Sequence, residues 1–141
     1  MPRLLHLTQD NDELFMEATD LFQETFRNSQ TVQEMYVDSR PFIERTIVAL
    51  HGTKVVGALK RGYNPDLDAI SVDFLAVNKD HRRAGVGHLL LSELEKFAKE
   101  RDNKKTCLFP RTNPEVVNFY QKRGYVFIPD YKPRWMEKVL N

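Results

Sequence analysis

The chain has 141 residues, 41% of them hydrophobic and 29% charged, with a formal net charge of +1. That length suits one domain, residues 1–141, built on a single core. A near-neutral total with no basic run interleaved by aromatics argues against nucleic acid as a partner. The lack of any apolar run near the roughly 20 residues of a spanning helix argues against a membrane. The expected location is cytoplasmic, since the first residues carry no signal-peptide core. Cys107 is the only cysteine, so an internal disulfide is impossible, and its apolar surroundings predict a buried, inert thiol.

The small net charge conceals an asymmetry. Residues 1–78 hold 7 Lys/Arg against 12 Asp/Glu, a net of −5, whereas residues 79–141 hold 14 against 8, a net of +6. A basic second half suits a ligand that bears phosphates, and an acidic first half suits a cationic one.

In chain order, residues 3–8 read as a short strand. Asp10 with Glu13 resembles a capping box opening a helix whose Leu14, Phe15, Ala18, Leu21, Phe22 and Phe26 recur at helical spacing. A second helix spans about 31–38 and ends before Pro41. Residues 46–51 and 54–60 are β-rich and joined by His51-Gly52-Thr53, a hairpin, and a further strand covers 69–77. Alternation there puts Ile70, Val72, Phe74 and Ala76 on one face and Ser71, Asp73, Leu75 and Val77 on the other.

A helix opens at Gly85 or Val86 and runs to about 102–103. It buries Val86, Leu90, Leu94 and Phe97 and exposes the pairs Glu95–Lys99 and Lys96–Glu100. After a strand at 106–109, Asn113 or Thr112 caps a short helix with Pro114 at its first position, ended by Gly124. Strands at 125–128 and 135–140 close the chain. The four histidines, His6, His51, His81 and His88, fall in no ligand-like spacing, so no metal is expected.

The chemistry concentrates where the strand at 69–77 meets the helix at 85. Between them lies Arg82-Arg83-Ala84-Gly85-Val86-Gly87. Helix first-turn amides have no intrahelical partner and sit at the positive end of the dipole. Gly85 and Gly87 leave that backbone unshielded, and Arg82 and Arg83 add cationic donors, which together make a seat for a diphosphate. The turn is no P-loop, because Gly-x-x-x-x-Gly-Lys-Ser/Thr is absent. It is a poor dinucleotide fingerprint too, because the third glycine would fall at Leu90.

Arg82-x-x-Gly85-x-Gly87 after Phe74-Leu75-Ala76-Val77 resembles the acetyl-CoA signature of the GNAT superfamily of N-acetyltransferases. Asn113, seven residues to Tyr120 across a set containing Asn118, and then Gly124-Tyr125, is similar to that family's other hallmark, in the right order. The two patterns cover roughly residues 69–128. The resemblance implies an α/β fold of the α+β kind, a mixed, mostly antiparallel sheet with a splayed central parallel pair and helices on both faces. It also implies acetyl-CoA as the acyl donor. The backbone of Leu75, Ala76 and Val77 pairs with the pantetheine arm, the amides and side chains of Arg82, Arg83, Ala84, Gly85, Val86, Gly87 and His88 hold the diphosphate, and Asn113, Asn118 and Tyr120 complete the cofactor site.

Tyr120 falls at the family's general-acid position and would protonate the departing sulfur. Asp73 is the only carboxylate in the segment where relatives carry a base, while Ser71 stands at another such position and cannot do that work. Whether a side chain or a water chain removes the amine's proton is left open, as are the acceptor, a preference for another acyl-CoA, and a homodimer. Tyr36, Phe22 and Trp135 are candidates to line the acceptor pocket. The rival classes are a non-catalytic acyl-CoA-binding module and a peptide- or nucleic-acid-binding regulator.

Overall fold

The computed structural model describes residues 2–110 and 112–141. In chain order the elements are β1 (Arg3–His6), α1 (Asp12–Thr25), α2 (Gln30–Val37), β2 (Thr46–His51), β3 (Lys54–Asn64), β4 (Ala69–Val77), α3 (Val86–Glu100), β5 (Lys105–Leu108), α4 (Pro114–Gln121), β6 (Val126–Phe127) and β7 (Met136–Val139), with 3₁₀ turns at Ile43–Arg45 and Lys79–His81. The strands form one mixed sheet in the order β1-β2-β3-β4-β5-β7-β6. Among the described residues β4 pairs with β5 in parallel, and β1–β2, β2–β3, β5–β7 and β6–β7 are antiparallel.

The chain divides into two compact units, Met1–Arg61 with Phe74–Glu93, and Gly62–Asp73 with Leu94–Asn141. In the first, the helical repeat read from the sequence becomes the buried stripe of α1: Phe15, Ala18 and Phe22 are 0% exposed. They share a core with Val32 and Met35 of α2 and with Val48, Ala58, Phe74 and Ala76 of the strands. The Phe74 ring lies 5.4 Å from Phe22 and 5.0 Å from Phe26. Burying each such ring contributes about 1.5–3 kcal/mol, so this aromatic trio fixes where the end of β4 sits against α1.

The start of α1 differs from the expected capping box. Asn11 is the N-cap and its side chain makes no capping bond. Its Oδ1 instead accepts from the Thr8 amide at 2.8 Å and from Thr8 Oγ1 at 3.2 Å, closing the loop that leads out of β1. β3 also runs beyond the expected 60 to Asn64. Gly62 lies in that extension, past the strand end expected from the sequence, at a strand position where a neighbouring side chain needs room.

In the second unit, β4 and β5 pair only through Ile70–Thr106, Ser71–Cys107 and Val72–Leu108. β4 continues to Val77 beyond that register. Leu94, Cys107, Leu108, Tyr125 and Met136 form the buried centre, each no more than 2% exposed. The expected exposed Glu95–Lys99 pair is not what forms. Glu95 points inward, its side chain 15% exposed, and pairs with Lys138 Nζ at 2.8 Å.

Candidate active site

The turn between β4 and α3 belongs to the first unit. Arg82 is extended (φ −68°, ψ 151°), and both Arg83 (φ 66°) and Gly85 (φ 81°) take the left-handed conformation. For glycine that costs little, whereas a non-glycine residue held there stores of order 1 kcal/mol, a strain that concentrates at functional turns. The first helical bond of α3 runs from the Leu89 amide to the Gly85 carbonyl at 3.0 Å. The amides of Val86, Gly87 and His88 thus precede the ladder and have no hydrogen-bond partner among the described residues. Arg82 through Gly85 and His88 are exposed, while Val86 and Gly87 are buried. Donors with no partner among the described residues, a helix dipole and two guanidinium groups therefore meet at one turn, its rim exposed at residues 82–85 and at His88.

Several contacts hold this rim in place. Arg82 Nε donates to the Val77 carbonyl at 3.3 Å, fastening the turn to the end of β4. The Asn78 amide donates to the Val56 carbonyl of β3 at 2.8 Å, and Asn78 Oδ1 accepts from the Asp80 amide at 2.9 Å. Gly57 of β3 admits the first turn of α3. A Cβ there would lie 2.6 Å from Val86 Cγ1 and 3.1 Å from Leu90 Cδ1, so only glycine lets the helix start come this close. Of the residues expected to meet a pantetheine arm, Leu75 and Val77 are half-buried and Ala76 is buried.

The second unit carries the remaining candidates. Asp73 is exposed and accepts a hydrogen bond from the buried Ser71 hydroxyl at 2.7 Å. Gly62 makes room for this carboxylate, since a Cβ there would collide with Asp73 Oδ2 and lie 2.7 Å from Oδ1. Ser71, which cannot act as a base, thereby acquires a role in orienting the one carboxylate of the strand.

Asn113 caps α4, its Oδ1 accepting from the amides of Glu115 at 2.9 Å and Val116 at 3.4 Å, with Pro114 at the first helical position. Its carboxamide oxygen is therefore committed to the helix, and only its amide group remains to donate elsewhere. Asn118 lies exposed on the same helix.

Tyr120 is 5% exposed, and its ring makes edge contacts with Phe119 at 5.1 Å and Tyr125 at 5.5 Å. Its hydroxyl has no hydrogen-bond partner among the described residues. Burial pushes the phenol well above its ordinary value, with Arg123 opposing weakly, so it holds its proton through the neutral and moderately alkaline range.

Four other side chains bear on the remaining expectations. Cys107 is 0% exposed, and burial, followed by Asp73 and Glu137, pushes its thiol up to about 12, which removes it as a nucleophile at neutral pH. Phe22 is core and Trp135 stacks on Phe109 at 6.0 Å. Tyr36 helps line a cavity of about 540 Å³ with Asp12, Met16, Met35 and Asp38, and its hydroxyl donates to Asp20 at 2.6 Å. Sequence reasoning missed Gly57 and Gly62. Gly57 is an isolated glycine inside a strand pattern, a general signal of close approach, whereas Gly62 lies past the strand end expected at 60.

The first unit thus carries, after a strand, a turn of the kind with which group-transferring enzymes hold a phosphorylated carrier, and the second carries a buried phenol and a serine-held carboxylate. A family model described as the acetyltransferase (GNAT) family matches residues 12–125. An uncharacterized N-acetyltransferase, YjcF of Bacillus subtilis (strain 168), is 32% identical over 120 residues, 82% of this chain and 80% of that protein. The chain therefore belongs to the GNAT family of acetyltransferases.

Solved structures agree on the fold at lower identity. Ard1 from Thermoplasma volcanium superposes with a TM-score of 0.80 at 18% identity, covering 99% of this chain and 98% of that one. The PaiA N-acetyltransferase from Thermoplasma acidophilum, solved in complex with coenzyme A, gives 0.71 at 19% identity and 99% of each chain.

Proposed function

We propose that residues 1–141 act as one acetyltransferase domain that moves the acetyl group of acetyl-CoA directly to a primary amine. The observation that carries this reading is the exposed turn at the start of α3, where Arg83 and Gly85 take left-handed φ and the amides of Val86, Gly87 and His88 have no partner among the described residues. Those donors fit a diphosphate, and the coenzyme A complex of the similar PaiA enzyme supports the assignment. Arg82 and Arg83 supply charge at the rim, and the backbone of half-buried Leu75 and Val77 and buried Ala76 offers a strand edge to an amide-bearing arm. Because Arg82 holds the Val77 carbonyl, pairing with that arm rests mainly on Leu75 and Ala76.

The acyl donor supplies a thioester, an activated acetyl group on a good leaving thiolate. The chain's own residues handle the protons. An aliphatic ammonium with a pKa of about 10 is a poor nucleophile at pH 7 until it loses a proton, and Asp73, oriented by Ser71, takes it. Tyr120 donates from its neutral hydroxyl to the sulfur as the carbon–sulfur bond breaks, and Asn113 and Asn118 contact the carrier from α4. An inert Cys107 supports direct transfer without an acetylated cysteine.

The acceptor is a cationic amine, of a small molecule or of a peptide. The exposed Asp12, Glu13, Glu17, Asp20, Glu24 and Glu34 of α1 and α2 favour it, with no lysine or arginine on either helix. A thiol-release screen against polyamines, aminoglycosides, amino acids and lysine peptides tests the reading. Release with a cationic amine and loss of rate in Tyr120→Phe support it. No release with any amine, despite tight acetyl-CoA binding, would instead mark a non-catalytic acyl-CoA-binding module.

A further inference from the structure

Tyr125 occupies a position where phenylalanine would cost less. Its side chain is 1% exposed, and taking a hydroxyl into such a site is unfavourable unless every polar group finds a partner. Two further elements supply those partners, and a third holds one of them in place. The hydroxyl lies 2.6 Å from Thr106 Oγ1 of β5 and donates to Glu95 Oε2 of α3 at 3.0 Å. The other oxygen of Glu95 takes Lys138 Nζ of β7 at 2.8 Å. Lys138 in turn passes over Gly124, whose missing side chain leaves room for it: a Cβ there would lie 3.3 Å from Lys138 Cε.

The network therefore ties α3 and β5 to a single phenol oxygen, and β7 to the carboxylate that accepts from it. Such buried polar sets are costly when half made and rigidifying when complete.

What Tyr125 touches gives the network its purpose. Its ring meets the Tyr120 ring edge-on at 5.5 Å and 72°, and its backbone amide donates to the Tyr120 carbonyl at 3.1 Å. Tyr120 has no hydrogen bond of its own through its hydroxyl among the described residues, so packing alone sets the direction of that hydroxyl. Phe119 closes the ring from another side at 5.1 Å, with Arg123 lying over Phe119 at 3.8 Å. A phenol that must deliver a proton without a hydrogen-bonded guide needs neighbours that do not move.

We infer that the Glu95–Tyr125–Thr106 network, completed by Lys138, is a positioning device that holds the Tyr120 hydroxyl in its proton-donating direction. Tyr125 and Glu95 are positioning residues in this scheme and touch no substrate. The inference rests on the proposed acid role of Tyr120. Misplacing a reacting group by about 1 Å costs up to roughly 10²-fold in rate, so loosening the ring through its anchor should cost roughly tenfold in kcat.

The test is a double-mutant cycle of Tyr120→Phe and Tyr125→Phe, with Glu95→Gln and Glu95→Ala as a second pair. Each protein is measured for kcat, for the acetyl-CoA dissociation constant by calorimetry, and for the ¹⁹F spectrum of ligand-free protein carrying fluorotyrosine. The expected result is a roughly tenfold lower kcat in Tyr125→Phe at unchanged acetyl-CoA affinity, with no further loss when it is added to Tyr120→Phe. The Tyr120 fluorine signal should broaden or shift in Tyr125→Phe. Glu95→Gln, which still accepts from Tyr125, should retain more activity than Glu95→Ala.

A Tyr125→Phe effect that multiplies fully with Tyr120→Phe, or a kcat equal to wild type, overturns the positioning role and leaves the acid role standing. Full activity in Tyr120→Phe overturns the acid role itself, and the inference falls with it.

Discussion

Gly57 sits in the middle of β3, far along the chain from the turn it serves. Alanine at this position would put a Cβ 2.6 Å from Val86 Cγ1, 3.1 Å from Leu90 Cδ1 and 3.5 Å from the Ala76 carbonyl oxygen. Carbon atoms pack at about 3.5–4.0 Å, so the first contact is short by about 1 Å. Val86 is β-branched and in a helix, where one χ1 rotamer dominates, and Leu90 is 0% exposed. Neither side chain has somewhere to go, and the start of α3 must lift instead.

Overpacking of this kind costs about 1–3 kcal/mol. At about 2–4 °C per kcal/mol for a chain of this size, Tm should fall by about 2–12 °C. Because the displaced turn carries the amides of Val86, Gly87 and His88, acetyl-CoA affinity should also drop by about tenfold, near 1.4 kcal/mol.

Scanning calorimetry without ligand and titration calorimetry with acetyl-CoA measure the two effects. Gly52→Ala is the control. A Cβ at Gly52 meets nothing within 4 Å, yet φ is +63°. That variant should lose about 1 kcal/mol of stability through backbone strain and keep its affinity. A Gly57→Ala protein with wild-type Tm and wild-type affinity would refute the claim that this glycine sets the approach of the anion seat.

Four other outcomes follow from the same geometry. Acetyl-CoA should raise the Tm of the wild type, and Gly85→Val should abolish the shift, because a branched side chain is strained at φ 81° and shields the adjoining amides. An undiminished shift contradicts the phosphate seat. Tyr120→Phe should lower kcat by about 10²-fold with acetyl-CoA affinity unchanged, read by thiol release and calorimetry. Asp73→Asn should lower kcat/KM by about 10²-fold, and a loss under about threefold would transfer the base role to a water chain.

The fourth is a pH dependence. Burial raises the folded-state values of Cys107, Tyr120 and Tyr125 above their unfolded ones, so folding stability is complete below about pH 9 and falls as pH rises, first through the Cys107 range and then above pH 10. Tm measured from pH 8 to 11 should decline, less steeply in Tyr120→Phe, and a flat profile would contradict the burial argument.

Much of this arrangement was legible in the residues. The run from Val72 to Leu91 combines strict alternation, two glycines and a helical stripe, and each signal acts through local geometry that no tertiary contact overrides. Asn113-Pro114-Glu115 is equally local, and the helix begins where cap chemistry demands. The misread features are those decided at a distance. Asp10 and Glu13 have capping-box spacing, but Asn11 is captured by Thr8 and the helix starts later. Glu95 has the spacing of a surface pair with Lys99, yet a buried tyrosine hydroxyl thirty residues away draws it inward. An isolated glycine at 57 hints at close approach, but which helix and which carboxylate need the room at 57 and 62 is decided by packing that the strand's own sequence does not name.

The central claim is that bare main-chain amides at the start of α3 grip the diphosphate of the acyl carrier. Amide ¹H–¹⁵N spectra during titration with acetyl-CoA, and in parallel with acetyl-pantetheine, which lacks the diphosphate, test it most directly. The account predicts large downfield movement of the Val86, Gly87 and His88 amides with acetyl-CoA and little with acetyl-pantetheine. Unmoved amides at saturating acetyl-CoA, or equal movement with both compounds, would contradict it.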